Sequence, residues 1–292
     1  MRQRTRLFLE RLEDRTAPAT FGNPWPDAHH LTLSFVPDGT RIGKQSSQLF
    51  QTLNSQLGTA STVWETEILR AVQTWTSVAN IDVGVVPDGG QAMGVPGQVH
   101  GDGRFGDIRI AGSPMSGAGI AIATPYDVTA GTLGGDIVLN TSFLFSMGGG
   151  TGYDLYSIVL HEMGHVLGMD HSTDPTSPMY AQYMGVSSGL AASDVAAVQS
   201  LYDARQPDAH ELLSSSGGGA SMLPVLDGSG NYVAPTVEGE LSTIGGNQLY
   251  QFSTGSTPLS ATVSLRTSGL SLLEPQLKIG RASCRERVYT PV

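Results

Sequence analysis

His161, Glu162, His165 and His171 are the residues whose types and spacing could do chemistry together, inside the stretch HEMGHVLGMDHS at 161–172. His161 and His165 are four residues apart, which on an α-helix is about 400° of rotation, so both imidazoles leave one face a turn apart. Two neutral ring nitrogens at that spacing can reach one small divalent ion at ~2.0–2.1 Å. Gly168 can end the helix in a left-handed conformation, the chain turns back, and His171 arrives as a third ligand. Three imidazoles leave the fourth tetrahedral position open to water, the arrangement of a catalytic zinc site rather than a structural one. Glu162, one step round the helix from His161, is then the candidate general base. A bare H-E-x-x-H also occurs on ordinary helices. With Gly168 and His171 fixed as well, background composition produces the pattern in roughly one in 10⁵ chains of this length, which favours a metal site over buried structural histidines.

These side chains need a rigid carrier. Thr151–Asp154 can cap a helix whose members Leu155, Ile158, Val159, Leu160, Met163, Val166 and Leu167 surround the histidine pair. Apolar on nearly every side, that helix is expected at the domain centre, where each metal-bound imidazole needs a hydrogen-bond partner behind it. Upstream, Leu31, Leu33 and Phe35 alternate with Thr32 and Ser34, the pattern of a half-buried strand. Residues 40–60 read as a loop or a short helix. Thr62 and Glu65 have capping-box spacing before a stripe of Trp64, Ile68, Val72, Trp75 and Ala79, whose tryptophans are expected in the core. Strands are expected at Ile81–Val85, Asp107–Ile110 and Ala118–Ala123, and a last helix at 193–204. Glycine and aspartate crowd residues 87–119, and Gly134-Gly135-Asp136 follows. Asp136 could supply a hard oxygen to calcium with carbonyls turned towards it; tight turns between strands explain the same residues. His100, isolated in this stretch, is expected on a surface loop.

The chain's 292 residues suffice for a large buried core, and its low charge (14%) and 37 glycines suit a β- and loop-rich extracellular protein. A net charge of −10 argues against nucleic acid as a partner. No apolar run approaches the ~20 residues of a membrane span. The single cysteine, Cys284, excludes an internal disulfide and a multi-thiolate zinc site. A monomer is expected. Beyond Pro207 the chain turns polar through Ser214–Gly219, so 206–235 reads as a linker.

The segment 161–172 resembles the H-E-x-x-H-x-x-G-x-x-H-S zinc motif of metzincins, and most closely that of matrixins, the matrix-metalloproteinase family. Met179 in SPMY looks like the family's Met-turn. Tyr183 falls where matrixins have a tyrosine lining the primed-side substrate pocket, although Ala181 replaces their usual proline. EILRAVQTWTSVANI (67–81) is similar to the family's first helix and LAASDVAAVQSLY (190–202) to its closing one. The resemblance implies an α/β (α+β) catalytic domain over 21–205, with a twisted, mostly parallel five-stranded sheet and three helices. It implies that His161, His165 and His171 bind one catalytic zinc, that Glu162 is the base, and that Met179 supports the site without touching metal. Thr124 and Val138 stand where animal matrixins place histidines for a second zinc, so none is expected; calcium partly held by Asp136 is compatible with the likeness. No cysteine switch is present, and Ala181 stands where other metzincins place a ligand tyrosine.

Outside that domain, Leu9–Arg15 resembles the L-E-x-L-E-x-R motif on exported planctomycete proteins, so 1–20 is expected to be a sorting segment of a secreted or surface-bound bacterial protein. Residues 236–278 resemble the start of a bacterial pre-peptidase C-terminal β-sandwich. The stretch IGRASCRERV looks like translated adapter sequence, which would make 279–292 a non-natural tail and leave the sandwich cut short. Together these features point to a zinc metalloendopeptidase acting on extracellular proteins or peptides. The alternative is a silent metzincin-fold surface-binding module, although this chain keeps all three histidines and the glutamate.

Overall fold

The computed structural model describes residues 23–207 apart from 118, and the short stretches 220–223, 233, 237, 248–252 and 263–264. In chain order the elements are β1 (Leu31–Phe35), β2 (Arg41–Ile42), β3 (Gln45–Ser46), α1 (Leu49–Leu57), α2 (Ser61–Thr76), β4 (Val83–Val85), β5 (Ile108–Ser113), β6 (Ala121–Ala123), β7 (Ile137–Asn140), β8 (Phe145–Ser146), β9 (Tyr153–Asp154), α3 (Leu155–Val166) and α4 (Ala192–Tyr202). Five strands form one sheet in the order β4-β1-β5-β7-β6; its first four are mutually parallel and β6 runs antiparallel on the β7 edge. This is the mostly parallel five-stranded sheet with helices that the family resemblance implies. The expected helices are α2, α3 and α4; α1 is a fourth, in the stretch read as loop or short helix.

Both faces of the sheet are covered, as parallel sheets require. On one face Leu31, Leu33, Ile108, Ile110, Ile137 and Leu139 pack into a core shared with α2 and α3. Trp64 and Trp75 are fully buried there. Their ring N–H groups are satisfied, Trp64 donating to Asn54 Oδ1 (2.7 Å) and Trp75 to the Leu160 carbonyl of α3 (2.9 Å). The second bond ties the α2 anchor to the turn that carries His161. The opposite face is covered by the connection between β4 and β5. There Arg109, fully buried on β5, makes a two-pronged ion pair with Asp88 (2.8 and 2.9 Å) and lies over the Phe105 ring. A guanidinium buried this deeply is tolerated because its charge is matched and most of its donors are used. Val138 also faces this layer, packed on Val36, Met93 and Ala111.

Several local expectations need correction. The helix expected to open at a Thr62–Glu65 capping box starts at Ser61 with Ala60 at the cap and no side-chain cap bond. Thr62 already lies in the first turn, where its carbonyl accepts the Thr66 hydroxyl. α2 ends at Thr76, so Ala79 is a core residue beyond the helix. His100 does lie in a loop, but it is only partly exposed. Its side chain is 23% exposed, stands edge-on to Trp25 and places Nε2 3.7 Å from Asp107 Oδ2. Ala118 and residues 1–20 lie outside the described residues, as do most of 206–292. Within the stretch read as linker, Ser221–Met222 pairs in parallel with Tyr250–Gln251.

Candidate metal centre

All twelve residues of α3 are buried. Its first turn is capped by Asp154, whose Oδ1 accepts the Ser157 amide (3.0 Å) and hydroxyl (2.6 Å). A side-chain oxygen at this position satisfies amide groups that the helix itself leaves open. The other end stops at Gly168, in the left-handed region at φ 89°. The Gly168 amide donates to the His165 carbonyl and the Met169 amide to that of Gly164, both at 2.9 Å. This paired closure is a Schellman turn, and glycine is the residue that enters it without a Cβ penalty. The turn does chemical service too, because it aims the Met169 carbonyl at the His165 ring.

His161, His165 and His171 converge. One candidate ligand atom from each lies within 4.8 Å of the others, and no other group of three or more such residues gathers among the described residues. His161 Nδ1 donates to the Pro178 carbonyl at 2.7 Å, and His165 Nδ1 donates to Met169 at 2.9 Å. A carbonyl can only accept, so each ring carries its proton on Nδ1 and presents a bare Nε2 lone pair. The two Nε2 atoms are 3.1 Å apart. Two lone pairs that close repel one another, whereas nitrogens bound tetrahedrally to a common zinc sit about 3.3 Å apart. The donor set therefore fits a small divalent ion of zinc's size and preference. Burial, then the neighbouring His165, pushes the His161 imidazole well below its ordinary 6.5, despite the opposing effect of the Pro178 carbonyl.

That shift has a sign. Below pH 6.5 the unfolded chain takes up a proton that buried His161 refuses, so the stability present above 6.5 is lost as pH falls from there towards the lowered folded value. Metal-free protein followed by thermal melting should therefore melt lower at pH 5.5 than at pH 7.5. A flat profile across that interval would contradict the burial of a neutral imidazole.

Met179, 1% exposed, follows Pro178, whose carbonyl backs the His161 ring. Ser177–Tyr180 form a turn closed by the Tyr180 amide on the Ser177 carbonyl (3.1 Å), with proline second, where its fixed φ suits the turn. The turn is pinned from α4, since the Ser177 hydroxyl donates to Asp194 (2.6 Å) and accepts the Met179 amide (2.9 Å). Tyr202 of α4 donates to the Leu167 carbonyl at the end of α3, and burial pushes its phenol up to about 12. The Met179 sulfur fits against the helix because position 164 has no side chain: a Cβ there would overlap that sulfur and reach 2.9 Å from the Trp75 ring. Glycine inside a helix costs ~1 kcal/mol against alanine, so propensity alone predicts that Gly164→Ala stabilises. Overpacking of two buried neighbours outweighs it, and we expect a net loss of about 1–2 kcal/mol, read as a lower melting temperature.

Glu162, 3% exposed, is carried on α3 next to His161. Tyr183 is half-buried and is tied to the start of α3. Its hydroxyl accepts the Asp154 amide (2.9 Å), seven residues and about two turns before His161, and its ring stands edge-on to Tyr153. Burial pushes its phenol up. Asp136 is elsewhere, at the start of β7. Its Oδ1 accepts the Arg109 amide at 3.3 Å, and its Oδ2 has no hydrogen-bond partner among the described residues. Burial raises its carboxyl well above the usual range, against the opposing charge of Arg109. Missing from the sequence reading are the carbonyls of Pro178 and Met169, the Ser177–Asp194 link and the role of Gly164. Only the last left a trace, as a glycine inside an otherwise strong helical pattern.

The comparisons agree with this geometry. The matrixin family model matches residues 44–203, more than half of the chain. A probable matrix metalloproteinase (095L) of Invertebrate iridescent virus 3 is 44% identical over 77 residues, covering 25% of this chain and 21% of that protein. Cat matrilysin (Felis catus) is 35% identical over 118 residues, 39% of this chain and 43% of matrilysin. Rabbit interstitial collagenase (Oryctolagus cuniculus) is 32% identical over 193 residues, 64% of this chain and 35% of the collagenase. The chain thus spans less than half the length of these relatives. They are viral and vertebrate, so the bacterial attribution rests on Leu9–Arg15 and the C-terminal likeness alone. With the motif, the sheet and the triad in register, the chain belongs to the matrixin family.

Proposed function

We propose that this protein is a zinc-dependent endopeptidase that hydrolyses peptide bonds of extracellular proteins. The observation that carries the reading is the pair of Nδ1-anchored rings, His161 and His165, whose bare Nε2 atoms stand 3.1 Å apart with His171 alongside. Zinc, when bound there, supplies Lewis acidity to water and to the scissile carbonyl. The chain's own residues do the rest. The His161 and His165 rings are held from behind by backbone carbonyls, so little reorganisation of that pair is needed on binding. Glu162 accepts the proton of the attacking water and delivers it to the departing amine. An extended substrate can add along β6, the edge strand of this sheet among the described residues, which packs on α3 and turns Ile122 outward, with Tyr183 flanking a substrate side chain. The resemblance of Leu9–Arg15 to an export motif supports action outside the cell.

Zinc is the one metal this reading requires. Calcium at Asp136 is disfavoured, because the buried positive charge of Arg109 acts on that carboxylate and would oppose a second cation. The test uses the full chain, a quenched fluorogenic peptide and elemental analysis. We expect about one zinc per chain, hydrolysis abolished by a chelator, and activity restored by zinc. Zinc bound without chelator-sensitive hydrolysis would replace the peptidase reading with that of a silent binding module.

A further inference from the structure

The last carbonyls of a helix have no partner within it. At the end of α3 the backbone closes three of them: the Leu167 amide donates to the Met163 carbonyl at 3.0 Å, and the Schellman turn takes those of Gly164 and His165. The next two are closed by aromatic side chains from distant parts of the chain. Trp25 Nε1 donates to the Val166 carbonyl at 3.0 Å, and the Tyr202 hydroxyl donates to the Leu167 carbonyl at 3.0 Å. The pair is joined, since the Trp25 amide donates to the Tyr202 hydroxyl at 3.2 Å. Trp25 precedes β1, and Tyr202 ends α4, 177 residues later. The Trp25 side chain is wedged in place. It is 3% exposed, packs 4.4 Å from the Tyr126 ring, and lies over Gly135, where a Cβ would come within 2.8 Å of it. The turn closed in this way aims the Met169 carbonyl at His165 Nδ1 (2.9 Å) and leads directly into His171.

We propose that Trp25 and Tyr202 are positioning residues of the metal centre, a clamp that fixes the 167–169 turn and so sets the His165 tautomer and the hold on zinc. This rests on the zinc reading above and deepens it. A buried carbonyl that loses its donor must find another or stay unpaired at a cost, so the turn shifts when either aromatic donor is removed. The Met169 carbonyl then no longer meets His165 Nδ1 squarely. A ring without that acceptor also adopts the tautomer with its proton on Nε2, the nitrogen that should bind metal. Neither aromatic residue touches the ion. Their effect travels through backbone that they hold still.

The experiment uses the full chain and three variants. Trp25→Phe keeps an aromatic ring and deletes the N–H donor. Tyr202→Phe removes one oxygen, so it remains informative should Trp25→Phe fail to fold. Ile68→Val, in the buried core of α2 two turns before Trp75, is the control for a general loss of stability. Zinc release from the loaded protein to a chromophoric chelator should be about five- to tenfold faster in both clamp variants, and within about twofold of the parent in Ile68→Val. Two readouts need no metal. Hydrogen exchange at the Met169 amide should speed up about tenfold in the clamp variants. Nitrogen NMR of metal-free protein labelled at histidine should show His165 as the Nδ1–H tautomer in the parent and as a mixture in the variants. Release no faster than in Ile68→Val, or a His165 tautomer unchanged in both clamp variants, overturns the proposal. A parent that retains no zinc, while Met169 exchange and the His165 tautomer respond, sinks the zinc reading and leaves the clamp on the turn standing; if they do not respond, both fall.

Discussion

Glu162→Gln should retain about one zinc per chain and lose peptide hydrolysis by about 10³-fold or more. The substitution is nearly isosteric, so the packing of a side chain only 3% exposed is preserved. An amide cannot accept the proton that the attacking water must shed, and that lost function is what the variant isolates. The metal ligands are untouched: His161 still donates to Pro178 and His165 to Met169, and both bonds depend on backbone carbonyls. The measurement is single-turnover hydrolysis of a fluorogenic peptide beside elemental analysis of the same preparation. Activity equal to the parent would remove Glu162 from the mechanism. Loss of zinc in step with activity would recast it as a structural residue.

His165→Ala should abolish zinc retention, and with it all chelator-sensitive activity. This ring is anchored by the Schellman turn that ends α3, so its Nε2 is pre-positioned and its removal cannot be compensated by movement of a mobile partner. A ligand present at a hundred times its dissociation constant stabilises the folded state by ~2.7 kcal/mol, or roughly 5–10 °C for a domain of this size. The parent should therefore melt higher with added zinc, and His165→Ala should not respond. A full zinc-dependent shift in the variant would mean that the metal sits elsewhere. The alanine also deletes a buried ring, so its metal-free melting temperature has to be compared with that of the metal-free parent, not the loaded one.

The two results separate the roles that one short stretch combines. One variant keeps the ion and loses the proton acceptor; the other loses the ion. Together with chelation of the parent they test the ligand set and the base independently of the likeness to matrix metalloproteinases, which covers less than half the length of the relatives cited.

Much of the site was legible because its information is local. The four-residue spacing of His161 and His165, the glycine at 168 and the acid at 162 all act within about two helical turns, and helix geometry converts them directly into positions. The apolar surroundings of the pair likewise foretold a buried helix, and Asp154 lay at the end of the stretch expected to cap it. The tryptophans Trp64 and Trp75 were legible as core for the same reason, since their spacing places them on one helical stripe. Where a local signal had two explanations, the sequence did not choose between them. Thr62 and Glu65 have capping-box spacing, yet helix α2 begins one residue earlier. Gly134-Gly135-Asp136 suited calcium or a turn, and Arg109, whose amide the Asp136 carboxylate accepts, is 27 residues away.

What the sequence by itself determined, then, is the chemistry available: three imidazoles, one carboxylate, and a helix to carry them. The tertiary structure decided which tautomer His161 and His165 adopt, what supports those rings, and how the loop from Tyr183 to Ser187 is held. The carbonyl behind His161 comes from Pro178, the room for Met179 comes from Gly164 and Trp75, and the brace on Ser177 comes from Asp194. Each joins residues distant along the chain or uses backbone atoms that every residue possesses. Side-chain patterns mark which residues can react, whereas hydrogen bonds to backbone carbonyls and contacts at glycine leave almost no mark in composition, and only folding brings them to the site.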